Sequence, residues 1–214
     1  WWCWRMSMSF NEDIACFVEG SSEKAIMDLL IDNDCLAFTR DNLADEQFLS
    51  MQEISKKNID QFSQRILSQV NRDDKMDIII VQDRDIFPKF PCIYQEKIGN
   101  IYVVQTKPEI EMLMIHAEGL FSEYQKVKSK QTPKAFLSNE LKLPEKTITS
   151  YKYLQNYFTP DSLILAILSH SQAARNSKDI LQLRDLLKEV RLWMFDKIKQ
   201  MGQYWFLTRL LGGL

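Results

Sequence analysis

The chain has 214 residues, 45% of them hydrophobic and 26% charged, with only 6 glycines and 6 prolines. That composition excludes an intrinsically disordered or collagen-like chain, and the length suits one core, with or without an elaboration. The net charge of -2 is a near cancellation: residues 1–125 carry 12 Lys and Arg against 22 Asp and Glu, and residues 126–214 carry 15 against 7. An acidic half joined to a basic half fits either separate partners for the two or simply two differently solvated faces.

Four cysteines (Cys3, Cys16, Cys35, Cys92) form no C-x-x-C pair, and the two histidines, His116 and His170, are far apart in sequence. The usual sulfur and imidazole spacings for zinc are therefore missing. Cys16 and Cys35 lie in apolar runs and read as buried thiols, which fits a reducing cytoplasm. The opening WWCWRMSMSF lacks the order of a signal peptide and reads as an appended tail over 1–12, with initiation at Met6 or Met8. The apolar ending at 201–214 is interrupted by Arg209 and is too short to span a membrane.

In chain order, DIACFV (13–18) is an apolar run closed by Glu19-Gly20 and reads as a buried strand, with Ser21 or Ser22 placed to cap the helix KAIMDLLI. CLAFT (35–39) reads as a second strand. Between 44 and 71, Phe48, Met51, Ile54, Ile59, Phe62, Ile66, Leu67 and Val70 recur near the helical period. MDIIIVQ (76–82) is the strongest strand; an unbroken Ile/Val run implies burial on both faces, as in a parallel sheet covered by helices. IYVVQ (101–105) is a fourth strand, and Pro108 opens the helix EIEMLMIHAEG. From about 119 onward the pattern is helical only: TPKAFLSNEL, SYKYLQNYF, DSLILAILSHSQAA and DILQLRDLLKEVRLWMFDKI. The last carries a stripe of Leu183, Leu187, Val190, Met194 and Ile198. The expectation is an open, mainly parallel α/β sheet flanked by helices over 13–118, with an all-helical elaboration over 119–200.

Ligands of open α/β sheets bind at the carboxyl ends of the strands. Here those ends run into acids: Glu19 after the first strand, Asp83 and Asp85 after the third, Glu109 and Glu111 after the fourth. Carboxylates gathered in one crevice repel unless a cation compensates, and an oxygen set without His or Cys suits Mg²⁺ or Mn²⁺. At a strand end, residues i and i+2 point to the same side, so Asp83 and Asp85 can share an ion. Glu109 and Glu111 diverge on a helix, so at most one of them faces it.

The ordered set FVEGSSEKAIM (17–27) and DIIIVQDRD (77–85) resembles the Toprim domain of topoisomerases, primases, OLD-type nucleases and recombination mediators. The resemblance covers about residues 13–115. It implies that Glu19 matches the family's glutamate, and Asp83 and Asp85 its paired aspartates. Glu23, four residues after Glu19, is similar to the second acid of the OLD-like nuclease branch, where both serve metal binding. Glu109 or Glu111 stands in for that branch's later acid, without its serine. Lys107 is the candidate for the lysine beside the scissile phosphate, with Lys128, Lys130 and Lys134 as alternatives. No GxxxxGK[ST] loop is present, so any ATPase is a separate chain.

The resemblance implies metal-assisted phosphodiester hydrolysis of DNA or RNA, in a small stand-alone protein acting in antiviral defence beside an ABC-type ATPase. Glu19 would bridge metal or act as general base, and Asp83 and Asp85 would hold metal. Lys126, Lys128, Lys130 and Lys134, with Lys142, Lys146 and Lys152, would then track a nucleic-acid backbone, and Tyr124, Tyr151, Tyr153 and Tyr157 would stack on bases or pack beneath the lysines. The histidines read as structural. Alternatives are a non-catalytic binding module of the recombination-mediator type, and a subunit held inert until its ATPase partner releases it. The apolar tail and stripe would serve docking or homo-oligomer formation; no membrane partner is expected.

Overall fold

The computed structural model describes residues 8–83, 87–106, 110–173 and 180–188. Its centre is a parallel sheet of β1 (Asp13–Val18), β2 (Leu49–Ser50), β3 (Met76–Gln82) and β4 (Ile98–Gln105) in the order β2-β1-β3-β4. The register runs Val18↔Ser50, Val18↔Val81 and Val81↔Val104, so the carboxyl ends of all four strands lie along one edge.

Strand alternation decides the two layers. Ile14, Cys16 and Val18 of β1, with Ile79 and Val81 of β3, face α1 (Ser21–Asp32), α3 (Glu111–Ala117) and the later helices. Ala15 and Phe17, with Met76, Ile78 and Ile80, face α2 (Ile59–Arg65) and its flanking turns. All seven residues of β3 are buried, as expected of an Ile/Val run covered on both sides. The open α/β sheet flanked by helices is the architecture the sequence implies.

The later helices are α4 (Phe121–Val127), α5 (Pro133–Leu141), α6 (Glu145–Ile148), α7 (Tyr151–Tyr157) and α8 (Pro160–Ala173). Phe136, Leu137, Ile148, Leu154, Leu163 and Ile167 share one apolar cluster with β1, β3 and α1, so this region builds onto the sheet's own core. None of the helices among the described residues is long and apolar enough to cross a membrane.

Three expected elements differ. CLAFT forms no strand: Leu36 and Phe38 are buried on the α1 side, and the backbone of Cys35 and Ala37 bonds instead to Lys188 and Leu186. The second strand is the two-residue β2. The stretch 44–71 is not one helix, because Asp45 and Glu46 take left-handed backbone angles, Leu49 pairs with Phe17, and Ser50 caps a 3-10 turn. Its apolar spacing arises from a meandering chain that buries Phe48 on one side of the sheet and Leu49, Ile54 and Phe62 on the other.

The third is the start of the last expected helix. Leu183–Leu186 is a 3-10 turn between two bridges, Val104↔Leu181 and Leu36↔Leu187. This strap buries Leu183, Leu186 and Leu187 rather than presenting them as a stripe. Val190, Met194, Ile198 and both chain ends, 1–7 and 189–214, lie outside the described residues.

Candidate functional site: a carboxylate crevice at the strand ends

In the order β2-β1-β3-β4, the chain leaves β1 toward one side and enters β3 on the other, so the switch point of the sheet falls between β1 and β3. Glu19 and Asp83 are the first residues beyond those two strands. The Glu19 N–H extends the ladder by donating to Val81 O at 3.1 Å, and the Asp83 N–H donates to Glu19 Oε2 at 2.9 Å. The two acids are thus fixed side by side at the crevice.

Glu23 joins them from α1. Ser21 and Ser22 do not cap this helix: its N-cap is Gly20, and Ser22 Oγ donates to Thr149 O at 2.9 Å, tying α1 to the α6–α7 junction. Glu23, at the third helical position, turns its carboxylate back toward the Gly20 and Glu23 amides. A Cβ at Gly20 would come within 2.8 Å of Glu23 Oε2, so the missing side chain at Gly20 makes this fold-back possible. Burial first, then the charges of Glu19 and Asp83, push the Glu23 carboxyl above its ordinary value, although the two amides pull it down.

The structure therefore brings together Glu19, Glu23 and Asp83. Glu111 opens α3 in a buried position beyond β4. Asp85, Lys107 and Glu109 lie outside the described residues. The donor chemistry fits a hard divalent cation: half-buried carboxylate oxygens alone, with the charges of Glu19 and Asp83 acting on Glu23. The assembled geometry stops short of a metal shell, since among the described residues no three His, Cys, Asp or Glu side chains form a metal-binding group.

Lys126, Lys128 and Lys130 are exposed on α4 and the turn after it, and Lys134 is half-buried in α5. The tyrosines are largely committed elsewhere. Tyr124 is buried, the Tyr151 hydroxyl donates to Asp28 Oδ2 at 3.0 Å, and Tyr157 donates to Glu118 while its ring stacks on Tyr153.

Sequence reasoning missed a second polar group beside the crevice. Gln82 and Gln105 end β3 and β4 in register, and Gln82, Thr106, Ser171 and Gln182 are all buried. A glutamine closing each of two apolar strands was the legible signal. The strap that completes the group was hidden within an apparent helix. His116 and His170 also meet, with ring centroids 5.4 Å apart, and His116 stacks on Phe121. Their helices α3 and α8 pack together, which supports the structural reading of both.

Compared with known protein families, with curated proteins and with solved structures, the chain matches none.

Proposed function

We propose that the chain is a metal-dependent nuclease that hydrolyses phosphodiester bonds of DNA or RNA, with the resemblance to OLD-like Toprim nucleases as its family context. The observation that carries the reading is the convergence of Glu19, Glu23 and Asp83 on the switch point between β1 and β3. Glu19 and Asp83 push the Glu23 carboxyl above its ordinary value, a repulsion that a bound cation would offset.

Glu19, Glu23 and Asp83 would hold Mg²⁺ or Mn²⁺, with Asp85 and one of Glu109 and Glu111 completing the set. A bound divalent ion supplies stabilisation of the attacking and leaving oxygens in an in-line displacement. Within the chain, the Asp83 amide holds Glu19 at the crevice, and Glu19 would act as general base toward water. Glu23, its carboxyl held above the ordinary value by burial and by Glu19 and Asp83, would give up its proton on metal binding. Lys107 would neutralise phosphate charge, and the lysines of α4 and α5 would hold the strand. An ABC-type ATPase and an antiviral role belong to the same family context.

The test is incubation of the purified protein with plasmid, single-stranded DNA and tRNA in Mg²⁺ or Mn²⁺, alone and with a co-expressed ATPase partner. Cleavage that disappears in Asp83→Ala while nucleic-acid affinity stays within about twofold supports the reading. Absence of cleavage of every substrate under all these conditions sinks it.

A further inference from the structure

Between Tyr124 and Asn139 the chain carries Lys126, Lys128, Lys130 and Lys134 and no Asp or Glu. We propose that this segment, from the end of α4 into α5, is a phosphate-reading surface that selects double-helical over single-stranded nucleic acid. As a statement about substrate the selection rests on the nuclease reading; the binding preference itself does not.

Uncompensated charge is the first observation. Elsewhere the cations have acids beside them: Arg40 pairs with Asp28 and Asp32, Arg65 with Asp45 and Glu53, and Lys188 with Asp34. None of the four lysines makes an ion pair among the described residues, and Lys126, Lys128 and Lys130 are exposed. Ammonium groups not engaged by carboxylates are open to phosphates, and each such contact releases a counterion condensed on the polyanion.

The inward turn of the aromatic rings is the second. Tyr124 is 7% exposed and Phe136 4%, with their ring centroids 5.3 Å apart, and the half-buried Phe121 stacks on His116 at 4.5 Å. Single-strand binders gain affinity by stacking successive bases on exposed rings. Here the rings serve the core, and between the lysines the solvent side holds the polar Ser129, Gln131 and Thr132. Phe87, the most exposed ring among the described residues, belongs to the loop beyond β3. With charge and no stacking, affinity follows phosphate density, which is one charge per about 1.7 Å of axis in a duplex against about 3.4 Å in each of its strands.

Fixed spacing is the third. The Lys130 N–H donates to Val127 O at 2.8 Å, so the helical path continues past α4 and sets Lys126 and Lys130 one turn apart. Thr132 Oγ1 then caps α5 by accepting the Ala135 N–H at 3.2 Å, which places Lys134 in that helix's first turn. α5 packs on α3, whose first residue, Glu111, lies beyond β4, so the lysines are carried by the layer that borders the crevice. Ammonium groups on a fixed backbone suit the regular phosphates of a helix, whereas a single strand loses conformational freedom to match them.

The experiment measures fluorescence anisotropy of labelled DNA and RNA duplexes, and of their separated strands, with the intact chain in EDTA between about 50 and 200 mM salt. Duplexes are expected to bind about tenfold tighter than their strands, with log Kd against log salt rising at a slope of about 3 to 4 for the four lysines. Replacing Lys128→Gln and Lys130→Gln together is expected to reduce that slope by about 2. Lys56→Gln with Lys57→Gln removes the same charge from exposed side chains before α2 and is expected to leave the slope unchanged. Either helix supports the proposal, and the tighter of the two identifies the source as DNA or RNA. Strands bound as tightly as duplexes, or an equal loss of slope in the two paired variants, would overturn it. EDTA keeps the carboxylate site out of the measurement, so duplex binding with no cleavage under any condition sinks the nuclease reading alone, and cleavage of strands in preference to duplexes sinks this inference alone.

Discussion

Glu23 is where sequence, fold and chemistry meet in one side chain. It turns back over the start of α1 beside Gly20, and it is held above its ordinary pKa by burial and by Glu19 and Asp83. The folded state therefore binds its proton more tightly than the unfolded chain does, and its contribution to stability falls as pH rises from about 4.5 through the raised value. Glu23→Gln keeps the side chain's shape and removes the repulsion from Glu19 and Asp83. It should raise the metal-free Tm by a few degrees and reduce the stabilisation given by Mn²⁺, both read from melting curves. His116 has the opposite sign. Burial, then His170, lowers it from the ordinary 6.5 to about 4, so the unfolded chain takes the proton first and stability rises with pH between those values. Urea unfolding at pH 4.5 and 7 should show that slope, and His116→Phe should flatten it.

At the scale of elements, the amino end of the sheet is pinned by Asp77 in β3. Its buried carboxylate accepts the Asn11 N–H at 2.9 Å, Asn11 Nδ2 at 2.8 Å and the Asn100 N–H at 2.7 Å. Gly99 admits this clasp, since a Cβ there would meet Asn11 Nδ2 and Asp77 Oδ1 at 2.5 Å each. Asp77→Ala should cost about 1–3 kcal/mol in chemical denaturation by breaking this clasp of charge-assisted hydrogen bonds, and Gly99→Ala about 1–3 kcal/mol by crowding the same contact. Local runs carried much of this architecture: DIACFV, MDIIIVQ and IYVVQ announced strands, and α5, α7 and α8 fall within apolar helical patterns. Long-range partners carried the rest. CLAFT is extended yet unpaired as a strand because its backbone partners lie in 186–188, and 44–71 mimics a helix because two opposed layers draw on its apolar residues in turn. For the site, each acid was legible as a residue at a strand end. That Glu19 receives the Asp83 amide and Glu23 folds back on Gly20 was not, because both depend on register and cap geometry.

For the whole molecule, the acidic and basic halves share one core. Asp28 of α1 is buried and joins them: Lys24 Nζ lies 3.2 Å from it, Arg40 Nη2 2.9 Å, and the Tyr151 hydroxyl of α7 reaches it at 3.0 Å. Gln155 Nε2 donates to Ala25 O at 2.6 Å, and Leu186 packs in the same cluster as Leu36. The sheet and the helical elaboration should therefore unfold in one transition, with fluorescence and circular dichroism giving coincident curves, and Tyr151→Phe should lower both together by about 1 kcal/mol. The crevice sits at the seam, where Ser22 meets Thr149. The claim on which the account turns is that its carboxylates form a divalent-metal site, and the direct measurement is anomalous scattering from crystals soaked in Mn²⁺. The account predicts a manganese peak among Glu19, Glu23 and Asp83 that is lost in Asp83→Ala. An empty crevice in the parent protein at saturating Mn²⁺, or a peak that persists in Asp83→Ala, would contradict it.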